Sequence, residues 1–311
     1  MASADVSESG GDLACRVRSL IEERLDKALK AMDFQADISA LIPGKMLRTR
    51  LAGRLASGGG LGAPSETLVY GCAAVEMVHT ASLCHDDVID AALIRRSAPT
   101  LWRQTSCSAA VLIGDMLLCE AIDLMACAEA GRHVRKFVAK VKETCAAEAE
   151  QELLLRGGSV SEGLCLQLAR GKTGALFSFV ARLCGSGQPE LAAALEEAGY
   201  ALGAAYQVAD DLLDVVGCEE QAGKTLGTDA KRRKFTLTDL PGGQELSRRH
   251  AGQLLQSALQ SLAPWPRTQE ACAAFISKDL LAMLAREGLE LELPAPAPAS
   301  AVAAGKVGHV G

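Results

Sequence analysis

Two acidic clusters of identical spacing, Asp86-Asp87-Val-Ile-Asp90 and Asp210-Asp211-Leu-Leu-Asp214, are the residues of this chain best suited to chemistry. Residues four apart on a helix share a face, so Asp86 points with Asp90 and Asp210 with Asp214. Carboxylates packed this closely repel one another unless a cation sits between them. Hard oxygen ligands suit Mg²⁺, which keeps several waters and takes the rest of its shell from substrate phosphates. Either cluster alone could be a solvated acidic face. Two of them, on separate helices, favour a joint metal–pyrophosphate site across a bundle core. Lys45, Arg48, Arg95, Arg96, Lys172, Lys224 and Lys234 lie beside glycines or beside these motifs. Singly each reads as a surface charge; together they supply the positive charge a diphosphate needs. Arginine offers a fork matched to phosphate oxygens, and helix ends add free N–H groups.

These residues need helices to position them. Leu13, Val17, Leu20, Ile21, Leu25 and Leu29 recur at steps of three and four, which predicts an amphipathic helix over residues 12–32. Pro43-Gly44 punctuates the chain before another helix start at Lys45, and the glycine-rich stretch 57–63 reads as a loop. Further helices are expected over 67–92, 108–130, 132–155, 164–183, 189–216, 246–262 and 271–286, with a loop over 217–243. Strand-like alternation is nearly absent. The expectation is an all-α fold, one large helical bundle without an internal domain boundary. Residues 1–11 are small and polar, and residues 290–311 are Pro/Ala-rich; both ends read as disordered.

Composition limits the function classes. Of the 311 residues 49% are hydrophobic but only 4% aromatic, so the core must be built from Ala, Leu and Val. A net charge of −6 argues against nucleic acid as the main partner. The 11 cysteines include no C-x-x-C pair, and 5 histidines are few, so reduced core thiols fit better than zinc or a disulfide framework. No uninterrupted apolar run reaches the roughly 18–20 residues that span a bilayer, so no transmembrane segment is expected. The N-terminus carries acids and no early basic cluster, unlike a secretory signal or a transit peptide. The expected location is the cytoplasm.

With these residues in view, the chain resembles the trans-isoprenyl diphosphate synthases, the polyprenyl synthetases, from about Leu25 to Arg286. Gly44-Lys45-Met-Leu-Arg48 is similar to the family's GK-x-x-R segment, and His79 to a family histidine; the resemblance implies that Gly44, Lys45, Arg48 and His79 bind isopentenyl diphosphate. Asp86-Asp87-Val-Ile-Asp90 with Arg95-Arg96 resembles the first aspartate-rich motif, implying Arg95 for the allylic diphosphate and Arg96 for isopentenyl diphosphate. Lys172-Thr173 is similar to the pair that contacts the allylic substrate. Tyr206-Gln207 before Asp210-Asp211-Leu-Leu-Asp214 resembles FQ-x-x-DD-x-x-D, and Gly223-Lys224 and Lys234-Phe-Thr236 resemble the two later lysine segments. Gly114-Asp115 matches a structural segment. Departures are Thr49, Ser97 and Thr238, where the family has proline, glycine and proline; none removes a charged ligand.

The resemblance implies an isoprenoid-synthase bundle over 12–289 with a central cavity, and all six aspartates holding Mg²⁺. Asp86, Asp90, Asp210, Asp211, Lys172 and Lys224 are the expected catalytic set. The implied reaction is head-to-tail condensation of isopentenyl diphosphate with an allylic diphosphate, in a homodimer. No nucleophilic constellation of the Ser–His or Cys–His kind is needed or found. Product length is read from the helix before Asp86: small Val78, Ala81 and Ser82 leave the pocket open and predict twenty carbons or longer. The alternatives are a class I terpene cyclase, which would normally lack the isopentenyl diphosphate residues, and a non-catalytic regulatory subunit, which would be expected to lose an aspartate motif.

Overall fold

The structure, a computed structural model, describes residues 6–31, 41–61, 65–95, 98–127, 129–155, 158, 161–217 and 234–291. Arg96, Ser97, Gly223 and Lys224, and the tail from residue 292, lie outside the described residues. In chain order the helices are α1 (Val6–Ala31), α2 (Leu47–Gly58), α3 (Glu66–Ile89), the short α4 (Leu101–Gln104), α5 (Cys107–Ala126), α6 (Val134–Ala149), α7 (Glu162–Ala169), α8 (Ala175–Cys184) and α9 (Pro189–Val216). They are followed by α10 (Gly243–Ser261), α11 (Pro266–Phe275) and α12 (Ala282–Arg286). A two-residue antiparallel ladder, β1 (Ile94–Arg95) with β2 (Ala98–Pro99), forms the turn after α3. The all-α bundle expected from the sequence is what forms.

Start signals are local. The Ser65 side chain accepts from the Leu68 N–H at the head of α3, Ser106 does so for α5 and Ser161 for α7. Pro189 and Pro266 open α9 and α11, where their missing N–H costs nothing. Several boundaries differ from expectation; α5, for example, ends at Ala126 rather than 130, and α11 starts at Pro266 rather than 271. Helix α1 starts at Val6, inside the stretch read as disordered, because once Leu13 and Val17 are buried each added residue gains a hydrogen bond. Helix α3 ends at Ile89, with Asp90 as its C-cap and Ala91 at φ 48°, so the second half of the acidic motif terminates the helix. At the other end Leu291 still packs on the core.

Small residues set the packing. Helix α3 is buried along most of its length, against α1, α2, α5 and α8, through Cys72, Ala73, Ala74, Val75, Met77 and Ala81. Among the described residues it is the one helix long and apolar enough to cross a membrane, yet 78% of its most apolar stretch is buried inside the protein. Phe137 and Phe179 pack with ring centroids 5.4 Å apart in the same core. A second core joins α2, α8, α9 and the C-terminal helices around Leu51, Phe177, Leu202 and Phe275.

Two π-turns interrupt the bundle beside the site. Glu150–Leu154 extends α6, and Arg170–Gly174 joins α7 to α8. Each adds a residue to one turn and rotates the residues after it, as π-turns at functional sites do. The crossing of the second turn with α9 is close: a Cβ on Gly203 would lie 2.6 Å from Gly174 Cα. Only glycine at both positions allows this approach.

Candidate active site

A cleft of about 610 Å³ runs between α3, α6, α8 and α9. From α3 it is lined by Glu76, His79, Ser82, Leu83, Asp86 and Ile89, spaced by threes and fours as one helix face requires, and then by the C-cap Asp90. Helix α9 contributes Tyr206, Gln207, Asp210, Asp211 and Asp214 from the opposite side. Both acidic clusters therefore open into one space. Gly44, Lys45, Arg48, Arg95, Lys172, Thr173 and Lys234 line it too.

Three expected residues do not. Asp87 is 4% exposed and turned away, because the residue after Asp86 lies about 100° further round the helix. Its carboxylate holds Arg95 instead, at 2.7 Å from Nη2 and 2.9 Å from Nε. The expectation for Val78 and Ala81 is corrected as well. Both are buried in the α3 core and do not line the cleft, because the face that carries Asp86 continues back through Ser82 and His79.

The floor beneath Asp86 is a lattice of charges. Lys172 lies 2.7 Å from Glu148 and donates to Gln151 at 2.7 Å. Lys234, 7% exposed, lies 3.3 Å from Glu148, 3.6 Å from Glu152 and 3.7 Å from Asp90. Burial first, and then Glu148, push the Asp86 carboxyl up to about 6, against the opposing pull of Lys172, Lys234 and Arg95. Glu148 itself is desolvated, but Lys172 and Lys234 outweigh that and hold it below the usual range. Glu148, Gln151 and Glu152 are not singled out by the sequence. Their run, Glu148-Ala-Glu-Gln151-Glu152, looks like an ordinary charged helix face; Glu148 reaches the cleft from α6 itself, and the π-turn that carries Gln151 and Glu152 leaves no mark in composition.

Thr173 and α9 are joined directly. Thr173 Oγ1 donates to Gln207 Oε1 at 2.5 Å, and Gln207 Nε2 donates to Asp211 at 2.7 Å. At the other end of the cleft Arg48, 5% exposed, stacks over Phe177 at 5.1 Å. Burial pushes its guanidinium down, against the pull of Glu76 and Tyr206. Its buried Nε has no hydrogen-bond partner among the described residues. Glu76 accepts from the Thr49 N–H and hydroxyl at 3.2 and 2.9 Å, which ties α3 to α2 beside it. Gly114 also has a reason: a Cβ there would lie 2.3 Å from His85 Nε2.

The donor set fits Mg²⁺. Asp86, Asp90, Asp210, Asp211 and Asp214 present hard oxygens to one cleft. Among the described residues no three His, Cys, Asp or Glu side chains converge tightly enough to cage an ion by themselves. That is the open arrangement suited to a magnesium completed by water and phosphate oxygens.

The fold and the site together define an all-α bundle whose cleft gathers two aspartate clusters and a ring of basic residues. The chain belongs to the polyprenyl synthetase family, whose profile, Polyprenyl synthetase, matches residues 34–262. It is 35% identical to a geranylgeranyl diphosphate synthase of Mycobacterium tuberculosis over 62% of this chain and 57% of that one. It is 32% identical to a farnesyl diphosphate synthase of Haemophilus influenzae over 82% and 90%. The crystal structure of a Helicobacter pylori geranyltransferase complexed with magnesium and isoprenyl diphosphate shares the fold, with TM-score 0.72 at 22% identity, over 89% of this chain and 98% of that one. The chain thus spans less than two thirds of the Mycobacterium relative.

Proposed function

We propose that this protein condenses isopentenyl diphosphate with an allylic diphosphate, head to tail, to make a trans-polyprenyl diphosphate. The observation that carries the reading is the opening of both aspartate clusters, with Lys172, Lys234, Arg95 and Arg48, into one cleft. Asp86, Asp90, Asp210, Asp211 and Asp214 would hold Mg²⁺, the metal with which the Helicobacter geranyltransferase is complexed. Bound Mg²⁺ would offset the charge that builds on the departing diphosphate.

The chain's own residues do the rest. Lys172, with Arg95, Lys224 and Thr173, orients the allylic diphosphate; Gln207 fixes the Thr173 hydroxyl. Arg48, with Lys45, Arg96 and His79, holds isopentenyl diphosphate at the other end. The C–O bond to the allylic diphosphate breaks, the double bond of isopentenyl diphosphate attacks the allylic cation, and a proton leaves to the released diphosphate. The walls keep water from the cation. No covalent enzyme intermediate is involved.

The product we propose has twenty carbons or more. Supporting this, α3 and α6 contribute no Phe, Tyr or Trp to the cleft wall; Ser82, Leu83, Thr144 and Cys145 stand there instead. We also propose a homodimer, since Val111, Leu112 and Ile122 of α5 are 39%, 67% and 45% exposed, an apolar face that a second copy would cover.

The test is incubation of purified protein with MgCl₂, isopentenyl diphosphate and dimethylallyl, geranyl or farnesyl diphosphate, with and without chelator. Magnesium-dependent elongation is expected, and chromatography gives the product length. Absence of elongation with every primer would refute the reading, and cyclised hydrocarbons would reassign the protein as a cyclase.

A further inference from the structure

The end of the last helix reaches the site. Glu287, the residue after α12, forms an ion pair with Lys45, and its charge is also felt at Tyr206, a residue of the cleft wall. The carboxylate is only 13% exposed, whereas the Lys45 side chain is 46% exposed. It is also held from behind. The Gly288 N–H bonds to the Ala285 carbonyl at 3.1 Å and the Leu289 N–H to the Leu284 carbonyl at 2.9 Å, with Gly288 at φ 93°, the double closure that ends a helix firmly. Leu289, 1% exposed, anchors the turn in the core, and Arg248 donates to the Glu290 carbonyl at 2.7 Å.

We infer that Glu287 is a built-in counter-ion that competes with isopentenyl diphosphate for Lys45 and so sets the affinity for the non-allylic substrate. The inference rests on the proposed function, which gives Lys45 a diphosphate to bind. A fixed carboxylate beside Lys45 opposes a diphosphate in two ways. It occupies the ammonium group, and it places a like charge next to the incoming anion. Arg48, whose buried Nε has no partner among the described residues, is the neighbouring cation left to draw the diphosphate in. Binding must then pull Lys45 from Glu287 towards the phosphate. The allylic diphosphate, ringed by Lys172 and Arg95, lies outside this competition. Glu287 is therefore a positioning residue acting through Lys45, and its signature is a selective change in one KM.

Glu287→Gln keeps size and hydrogen bonding, and the helix end is closed by backbone groups, so the fold is retained. The expected result is a KM for isopentenyl diphosphate lowered about three- to fivefold, the range over which a partly exposed ion pair moves an equilibrium. The KM for the allylic substrate and kcat should stay within twofold, on the order of measurement scatter. Glu287→Asp, which keeps the charge, should stay near wild type. Calorimetric titration of isopentenyl diphosphate into wild type and Glu287→Gln, without the allylic substrate, reads the same change directly. An unchanged or raised KM in Glu287→Gln, or an equal fall in both KM values, overturns the inference. Failure of the wild type to bind isopentenyl diphosphate at all overturns the functional reading beneath it.

Discussion

Arg95 is bound to Asp87 through two of its nitrogens, Nη2 at 2.7 Å and Nε at 2.9 Å from the same carboxylate oxygen. Within one D-D-x-x-D motif the carboxylates thus take different work. Asp86 and Asp90 face the cleft, while Asp87 fixes the arginine that lines it.

This division predicts unlike phenotypes for neighbours. Asp87→Asn should leave magnesium affinity nearly unchanged and lower stability by about 1–3 kcal/mol, the cost of stripping a partner from a buried charged hydrogen bond. Asp86→Asn should weaken magnesium binding and reduce turnover on the order of 100-fold, as removal of one electrostatic stabiliser does. Urea unfolding and magnesium titration of both variants distinguish the two roles. Equal loss of magnesium affinity would contradict the assignment of Asp87.

Chain length should respond to Ser82 and not to Ala81. Ser82→Phe puts a ring into the cleft wall and should shorten the product. Ala81→Phe would force a ring into a fully buried position, destabilising the protein by about 1–3 kcal/mol before any effect on length. Product chromatography together with melting curves separates these outcomes.

The helix crossing under the site should be intolerant of one methyl group. Gly203→Ala would place Cβ 2.6 Å from Gly174 Cα, so α9 must shift away from the π-turn. A loss of about 1–3 kcal/mol in denaturant unfolding is expected. A raised KM for the allylic substrate should accompany it, because the Thr173–Gln207 hydrogen bond spans this crossing.

One pH effect lies far from the cleft. Burial alone would push the Glu196 carboxyl up, but hydrogen bonds from Lys140 and then Arg182 outweigh it and hold it below the usual range. The two pairs are 2.5 and 2.6 Å long. A depressed carboxyl adds stability above its unfolded pKa of about 4.3 and loses it as pH falls through the lower folded value. Glu196→Gln should cost about 1 kcal/mol or less at neutral pH, since the pair is partly exposed. The gap between the two proteins' melting temperatures should close below about pH 4.

Much of this architecture is legible in the chain. The three- and four-residue periodicity marks the helices, α9 to its terminal residues, and the repeated aspartate spacing marks the two walls of the cleft. That is local information, carried by residues one or two turns apart. The charged lattice of Glu148, Gln151, Glu152, Lys172 and Lys234 is only half visible. Its lysines stand in recognisable segments, but Glu148 is one acid among several on a charged helix, and Gln151 and Glu152 sit in a π-turn, a rotation that side-chain composition does not encode.

What the sequence alone determined is the set of helices and the chemistry of their polar faces, because helix pitch converts spacing into direction. That Asp87 pairs with Arg95, how closely Gly203 lets α9 approach Gly174, and that Glu287 meets Lys45 were decided by the tertiary structure. Each depends on a rotation of a few tens of degrees, or on contact between residues far apart in the chain, and packing of the whole bundle sets both.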